Sequence, residues 1–152
     1  MSRDFRFPSH RLPELIRAPK APVGEVRWKP RGMAGRELRL RLDLVDGPYA
    51  EFVLHVTCGD AADVTTYRAA LILEGYRVRG VDFSEVERKK FYRIHISKGW
   101  HENVIDPNLP LSDANQNRHE PQPDFDPRDL EGFLREICRL WHIDLDFGEA
   151  LL

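Results

Sequence analysis

Hydrophobic and polar side chains alternate with a period of two along much of the chain. From Glu37 to Leu44 every second residue is leucine and the residues between are charged. Such alternation predicts a strand with one buried face and one face in water. Shorter versions of the pattern predict strands over 23–29, 50–58 and 91–96. Because strands with one wet face are typical of antiparallel pairing, the pattern indicates an antiparallel sheet.

A hairpin is predicted over residues 67–83, with its turn at Glu74-Gly75. With a two-residue loop there, three cross-strand pairs form one apolar face of the hairpin. These pairs are Leu73 with Tyr76, Leu71 with Val78 and Ala69 with Gly80. The other face of the hairpin then carries three arginines, Arg68, Arg77 and Arg79.

The C-terminal region predicts an amphipathic helix. Asp126 suits an N-cap and Pro127 the first helical position. Apolar residues follow at helical spacing, namely Leu130, Phe133, Leu134, Ile137, Cys138 and Trp141. This stripe predicts that the helix packs on the sheet. A single turn of helix is also predicted over residues 85–90, because Ser84–Glu87 has the form of a capping box.

The sequence therefore predicts an α+β fold. It comprises an antiparallel sheet of about five to six strands, a long irregular loop over 97–126, and one C-terminal amphipathic helix packed on the sheet. A chain of 152 residues is expected to form one domain. Residues 1–22 contain four prolines and are expected to form an extended arm, with one helical turn around residues 12–16. The domain proper is expected over 23–152.

Composition favours a cytoplasmic protein. No apolar run approaches the roughly 20 residues of a membrane helix, and residues 1–16 are too polar for a secretory signal. Cys58 and Cys138 match no metal or disulfide spacing and are expected to be buried thiols. The net charge is −2, but residues 1–41 carry +7 and residues 99–152 carry −8. Because a nucleic-acid-binding domain is usually strongly basic overall, only a local basic surface is expected here.

Titratable side chains are densest in the predicted loop. His101 and His119 lie there, and histidine is the usual general acid or base near neutral pH. Metal-free RNA cleavage needs a base, an acid, and cations for the charged phosphorane. The two histidines and the three hairpin arginines supply those groups, with Asp82 orienting a histidine or an arginine. His95 and Lys98 are expected to add to substrate binding, and no cofactor is predicted.

Three alternatives remain open from the residues alone. The histidines and arginines are also compatible with an ordinary polar surface. Metal-dependent hydrolysis is a second alternative, although the spacings of the candidate ligands match no recognised motif; these ligands are His101, Glu102, Asp106, His119 and Glu120. A non-catalytic protein-binding module of antitoxin or adaptor type is a third, because the two charged segments suit charged partners. A sheet edge is also a possible site of pairing with a second copy.

The order of residues around the hairpin resembles a known family. Tyr67-Arg68 is followed by Leu71–Asp82, then by Lys98-Gly99-Trp100-His101, and then by the terminal helix. Over roughly residues 50–141 this order resembles the TumE-like toxins of bacterial and archaeal toxin–antitoxin pairs. The resemblance implies a growth-inhibiting toxin that acts on RNA and is made beside a neutralising antitoxin.

The resemblance also implies functional positions. The residues that match the family's motifs are Arg68, Arg77, Asp82 and His101. The sequence departs from the family at Phe83, where the family has asparagine, and at Glu102, where a second histidine is typical. His119 is the candidate to replace that histidine from further along the chain.

Overall fold

The computed structural model describes residues 11–33, 35–47, 49–60, 62–90, 94–104 and 118–147. Two α-helices lie in this part, α1 Leu12–Arg17 and α2 Leu130–Trp141, with a 3₁₀ turn at Val64–Thr66. The strands are β1 Lys20–Pro22, β2 Trp28–Arg31, β3 Gly35–Leu44, β4 Glu51–Cys58, β5 Arg68–Leu73, β6 Tyr76–Ser84, β7 Arg88–Lys90, β8 Ile94–Ile96, β9 Gly99–Val104 and β10 Arg118–Pro121.

Eight of these strands form one antiparallel sheet. Its order is β1-β3-β4-β5-β6-β9-β10, and β2 pairs with the first half of β3. β7 and β8 form a separate two-stranded ribbon. The predicted antiparallel sheet is therefore confirmed, but it has more strands than the five or six expected.

One face of the sheet, called here the helix face, packs against α2. Leu40, Leu54 and Leu71 are adjacent across β3, β4 and β5, and all are buried on this face. The apolar stripe of α2 lies in the same core, with Phe133, Leu134, Ile137, Cys138 and Trp141 buried. This confirms the alternation of β3 and the packing of the C-terminal helix.

The helix α2 begins later than the sequence pattern suggested. Asp129 is the N-cap, and its carboxylate accepts a hydrogen bond from the Gly132 N–H at 2.7 Å. Asp126 was therefore wrong as the cap. The helix ends where His142 adopts a left-handed conformation, with φ of 56°.

The segment expected to be an extended arm is different over residues 12–22. α1 buries Leu12, Leu15 and Ile16 in the core, and β1 pairs with the end of β3. The helical turn was expected. Residues 12–22 do not form an extended arm, because their apolar side chains are part of the core. Residues 1–10 lie outside the described part.

Lys20 joins the two helices. It is fully buried, and its Nζ donates to the carbonyl oxygens of Ile16, Ala18 and Trp141 at 2.5, 2.9 and 2.8 Å. The last carbonyls of a helix lack partners within the helix and carry partial negative charge. One ammonium group therefore closes the C-terminal ends of both helices. Burial lowers the pKa of Lys20 to about 7.

The predicted loop over 97–126 contains two strands of the main sheet. β9 pairs with β6 on one side and with β10 on the other. The hydrophobic pattern missed β9 because polar side chains, His101 and Glu102, fill its buried positions. Residues 105–117 of the predicted loop lie outside the described part.

The single helical turn predicted over 85–90 is also wrong. Ser84 ends β6, and its hydroxyl donates to the Val86 carbonyl oxygen at 2.7 Å instead of accepting from a helix N–H. Residues 88–90 form β7, which pairs with β8. Of the strand predicted over 91–96, residues 94–96 form β8 and residues 91–93 lie outside the described part.

Two further observations bear on the sequence predictions. Cys58 and Cys138 are free and buried, as expected, and burial raises the pKa of Cys138 to about 12. No helix in the described ranges is long and apolar enough to cross a membrane.

Candidate functional site

A β-bulge decides which arginines share a face. The hairpin turns at Glu74 and Gly75, both with positive φ, and Leu73 pairs with Tyr76 as predicted. The register then shifts, so that Leu71 pairs with Arg79 and Ala69 with Val81. The predicted pairs of Leu71 with Val78 and of Ala69 with Gly80 are therefore wrong. A bulge places two residues of one strand opposite a single residue of the other.

The bulge separates Arg79 from the other two arginines. Arg79 points to the helix face, where its Nε lies 3.9 Å from Glu102 Oε2. Glu102 in turn accepts a hydrogen bond from the Trp141 indole N–H at 2.8 Å. Burial raises the pKa of Glu102, and the indole hydrogen bond and the charge of Arg79 lower it only in part. Arg79 therefore belongs to a buried polar contact with α2 and not to an arginine trio.

The other face of the sheet, called here the second face, brings the predicted catalytic residues together. Asp82 of β6 pairs with His101 of β9, and Asn103 of β9 pairs with His119 of β10. Because side chains alternate along a strand, these residues all point away from the face that carries Val81 and Glu102. Three adjacent strands thus assemble one polar cluster from distant parts of the chain.

The centre of the cluster is a histidine–carboxylate pair. His101 Nε2 lies 2.6 Å from Asp82 Oδ1. The exposed fraction is 2% for the His101 side chain and 27% for that of Asp82. Asn103 Nδ2 donates to the same Asp82 oxygen at 3.4 Å. The buried imidazole is therefore held from one side, while the carboxylate still reaches solvent.

The tautomer of His101 follows from this hydrogen bond. With Nε2 donating to Asp82, Nδ1 carries the lone pair in the neutral ring. Nδ1 is buried and has no hydrogen-bond partner among the described residues. A buried polar atom in that state costs stability, and a catalytic role or a bound water molecule are two reasons why native proteins retain one.

Electrostatics keep Asp82 ionised. Burial by itself raises the pKa of Asp82, but the hydrogen bond and charge of His101, the Asn103 amide and the charge of Arg68 bring it below its ordinary value. The carboxylate of the pair is therefore the charged partner that accepts from His101 and from Asn103.

His119 lies beside this pair. Its ring centroid is 5.3 Å from that of His101, and the two rings meet edge to face at 60°. The residue is partly buried, whereas His101 is almost fully covered. The sequence predictions for Asp82, His101 and His119 thus meet at one place, although the predicted loop suggested no register between them.

The remaining predicted residues are more scattered. Arg68 and Arg77 are exposed, and Arg68 is close enough to Asp82 to lower its pKa. His95 lies in the β7–β8 ribbon and pairs with Glu87. Lys98 is exposed at the bend before β9. No contact within the described part joins His95 or Lys98 to the Asp82–His101 pair.

The geometry also bears on metal binding. No group of three histidine, cysteine, aspartate or glutamate side chains within the described ranges is arranged to hold a metal ion. Glu102 and Glu120 point to the helix face, away from His101 and His119. Asp106, another candidate ligand, lies outside the described part.

Asn103 is the member of the cluster that sequence reasoning did not single out. It lies two residues after His101 on the same strand, and hence on the same face. Recognising β9 as a strand is the step that assigns both residues to one site.

Comparison with known proteins returns no relative. No protein-family model, no curated protein and no solved structure matches the chain. The resemblance to TumE-like toxins is therefore neither supported nor contradicted by these comparisons. The geometry of the second face is the ground on which a function is proposed.

Proposed function

We propose that this protein is a metal-independent endoribonuclease that acts as the toxin of a toxin–antitoxin pair. One observation carries the proposal: Asp82, His101 and His119 converge on the second face, with a 2.6 Å bond between a buried imidazole and a carboxylate. Two proton-transfer groups in contact, next to cationic side chains, are what cleavage of RNA by its own 2′-hydroxyl requires.

In this proposal the two proton-transfer groups are His119 and the Asp82–His101 pair. One group removes the proton of the 2′-hydroxyl, whose oxygen then attacks phosphorus. The bond from phosphorus to the 5′-oxygen breaks, and the other group donates a proton to that oxygen. The products are a 2′,3′-cyclic phosphate and a 5′-hydroxyl. His101 is too covered to meet RNA directly, so Asp82 is the part of the pair that substrate reaches.

The phosphate is held by arginine in this proposal. Arg68 and Arg77 are both exposed on the second face, but only Arg68 acts on Asp82, because Arg77 lies beside the turn of the hairpin. A guanidinium group binds a phosphate through two parallel hydrogen bonds. Arg79 is left out of this role, because its side chain lies on the helix face beside Glu102.

The direct test is cleavage of single-stranded RNA by purified protein in the presence of EDTA. The matched variants are His101→Gln and His119→Gln, and the control is His142→Asn at the exposed end of α2. Loss of a general acid or base lowers the rate by about 100-fold or more. We expect that loss in both site variants, full activity in the control, and no cleavage of DNA with the same sequence.

Other outcomes separate the alternatives. Cleavage that EDTA abolishes points to a metal-dependent hydrolase. Intact RNA with every form of the protein, together with normal growth of a bacterial host on induction, removes the toxin proposal. A non-catalytic binding module then becomes the better account. Growth arrest that persists in both histidine variants equally contradicts the assigned site.

A further inference from the structure

A groove opens at the end of the sheet next to the candidate site. Its volume is about 940 Å³, and it is lined by the ends of β2, β4 and β6 and the starts of β5 and β7. Arg68 lines the groove and also lowers the pKa of Asp82. Neither Asp82 nor His101 lines the groove, so Arg68 is the residue that connects the groove with the Asp82–His101 pair.

Three arginines from different strands line this groove. They are Arg31 at the end of β2, Arg68 at the start of β5 and Arg88 at the start of β7. All three are exposed, and none forms an ion pair with a carboxylate within the described ranges. Arginine without an acidic partner in a concave surface suits an anionic ligand.

The acidic side chains of the groove offset only part of this charge, because two carboxylates face three arginines. Asp63 accepts hydrogen bonds from the backbone N–H and the hydroxyl of Thr65, at 3.1 and 2.6 Å, which hold its carboxylate on the 3₁₀ turn. Glu85 is the other carboxylate of the lining. The arginines therefore keep a cationic excess.

The groove also has apolar surface. Met33 and Val86 are among the most exposed large hydrophobic residues of the described chain, with exposed fractions of 107% and 61%. Both line the groove, as does Phe83, whose ring packs edge to face on Trp100. Cationic side chains that follow a backbone, combined with apolar surfaces that take bases, are the pattern of single-strand recognition. A duplex keeps its bases stacked and offers no such apolar contact.

We propose that this groove binds single-stranded RNA on the approach to the cleavage site. Arg31, Arg68 and Arg88 contact successive phosphates, and the apolar residues Met33 and Val86 contact unstacked bases. The assignment of RNA as substrate rests on the proposed function, whereas the binding of a single-stranded polyanion does not.

The test separates binding from cleavage. A fluorescent single-stranded oligonucleotide with every 2′-hydroxyl methylated cannot be cut by 2′-oxygen attack, so anisotropy measures affinity alone. The variant is Arg31→Gln with Arg88→Gln, which keeps Arg68 and the catalytic cluster intact. Its matched control is Arg27→Gln with Arg128→Gln, two exposed arginines that do not line the groove.

We expect the groove variant to bind the oligonucleotide at least about tenfold more weakly, and the control to bind like the unchanged protein. The dependence of log K on log salt should fall by about 1.4, since each phosphate contact on a single strand contributes about 0.7. With cleavable RNA, the groove variant should show a raised KM and a similar kcat. Equal affinity and salt dependence in both variants would overturn the proposal.

The failure of this proposal is distinguishable from failure of the proposed function. If the oligonucleotide binds and the groove variant lowers its affinity, but RNA is never cut, the groove proposal is supported and the nuclease proposal is contradicted. If RNA is cut with equal KM in both variants, the nuclease proposal is supported and the groove proposal is contradicted. Double-stranded RNA that competes as well as single-stranded RNA contradicts the single-strand assignment.

Discussion

Lys20 and His101 are two buried ionisable side chains with different surroundings. Lys20 lies among the C-terminal ends of α1 and α2, and three carbonyl oxygens accept its three N–H donors. His101 lies on the second face, where one ring nitrogen meets Asp82 and the other has no partner among the described residues. Both side chains are almost fully covered.

The difference indicates two uses of buried polarity. A fully satisfied group stabilises one arrangement of the chain, because removing it leaves several partners without hydrogen bonds. A group with an unpartnered buried atom contributes less to stability, and that cost is tolerated where chemistry needs the group. Lys20 is therefore a structural residue, and His101 is a candidate for function.

The largest expected effect is the loss of the Lys20 contacts. Lys20→Met keeps the length of the side chain but leaves the carbonyl oxygens of Ile16, Ala18 and Trp141 without their buried donor. We expect the free energy of unfolding to fall by about 3 kcal/mol, measured by urea denaturation at pH 6, where Lys20 carries all three N–H donors. RNA cleavage per folded molecule should not change. A loss below about 1 kcal/mol would place Lys20 in the same class as His101.

The pH dependence of stability follows from the same residue. The pKa of Lys20 is lowered to about 7 from its ordinary 10.5, so between these values the unfolded chain binds more protons than the folded one. Stability from this group therefore rises as pH increases from about 7 to 10.5 and is constant below that window. The slope is at most about 1.4 kcal/mol per pH unit.

This pH effect is measured as the difference between the unchanged protein and Lys20→Met. Urea denaturation at pH 7, 8 and 9 should show the difference in free energy of unfolding growing with pH. A difference that stays constant over this range contradicts the lowered pKa.

The smallest expected effect on stability is at His101. His101→Phe keeps an aromatic ring in the same space, while Asp82 retains Asn103 and contact with water. We expect the free energy of unfolding to change by less than about 1 kcal/mol, since the unpartnered ring nitrogen is removed with the hydrogen bond. Cleavage of RNA should nevertheless fall about 100-fold. If His101→Phe lowered the free energy of unfolding by several kcal/mol and left RNA cleavage unchanged, His101 would be the structural residue and not the functional one.

The sequence predicted a strand or a helix correctly where hydrophobic residues recur with the period of that element. The leucines of β3 and the stripe of α2 are examples, because burial there is apolar and one-sided. The residue types of Asp82, His101 and His119 were enough to nominate them. Their register was not predictable, because β9 carries polar residues on both covered faces.

The bulge at Val78 and the burial of Lys20 are harder to predict. Neither Val78 nor Arg79 has a local signal for a shift of register, and the contact of Arg79 with Glu102 depends on a strand that lies further along the chain. A lysine is normally expected at the surface. Its burial is favourable only because the ends of two helices distant in sequence meet at one point.

The same junction has a consequence for the order of folding. The bond from Lys20 to Trp141 spans 121 residues, and the Lys20 backbone also bonds to His142 and Asp144. Closing so long a loop costs chain entropy that nearby contacts must first offset. During synthesis β1 can therefore pair with β3 early, whereas the bonds from Lys20 to Trp141, His142 and Asp144 form only after the last helix has left the ribosome.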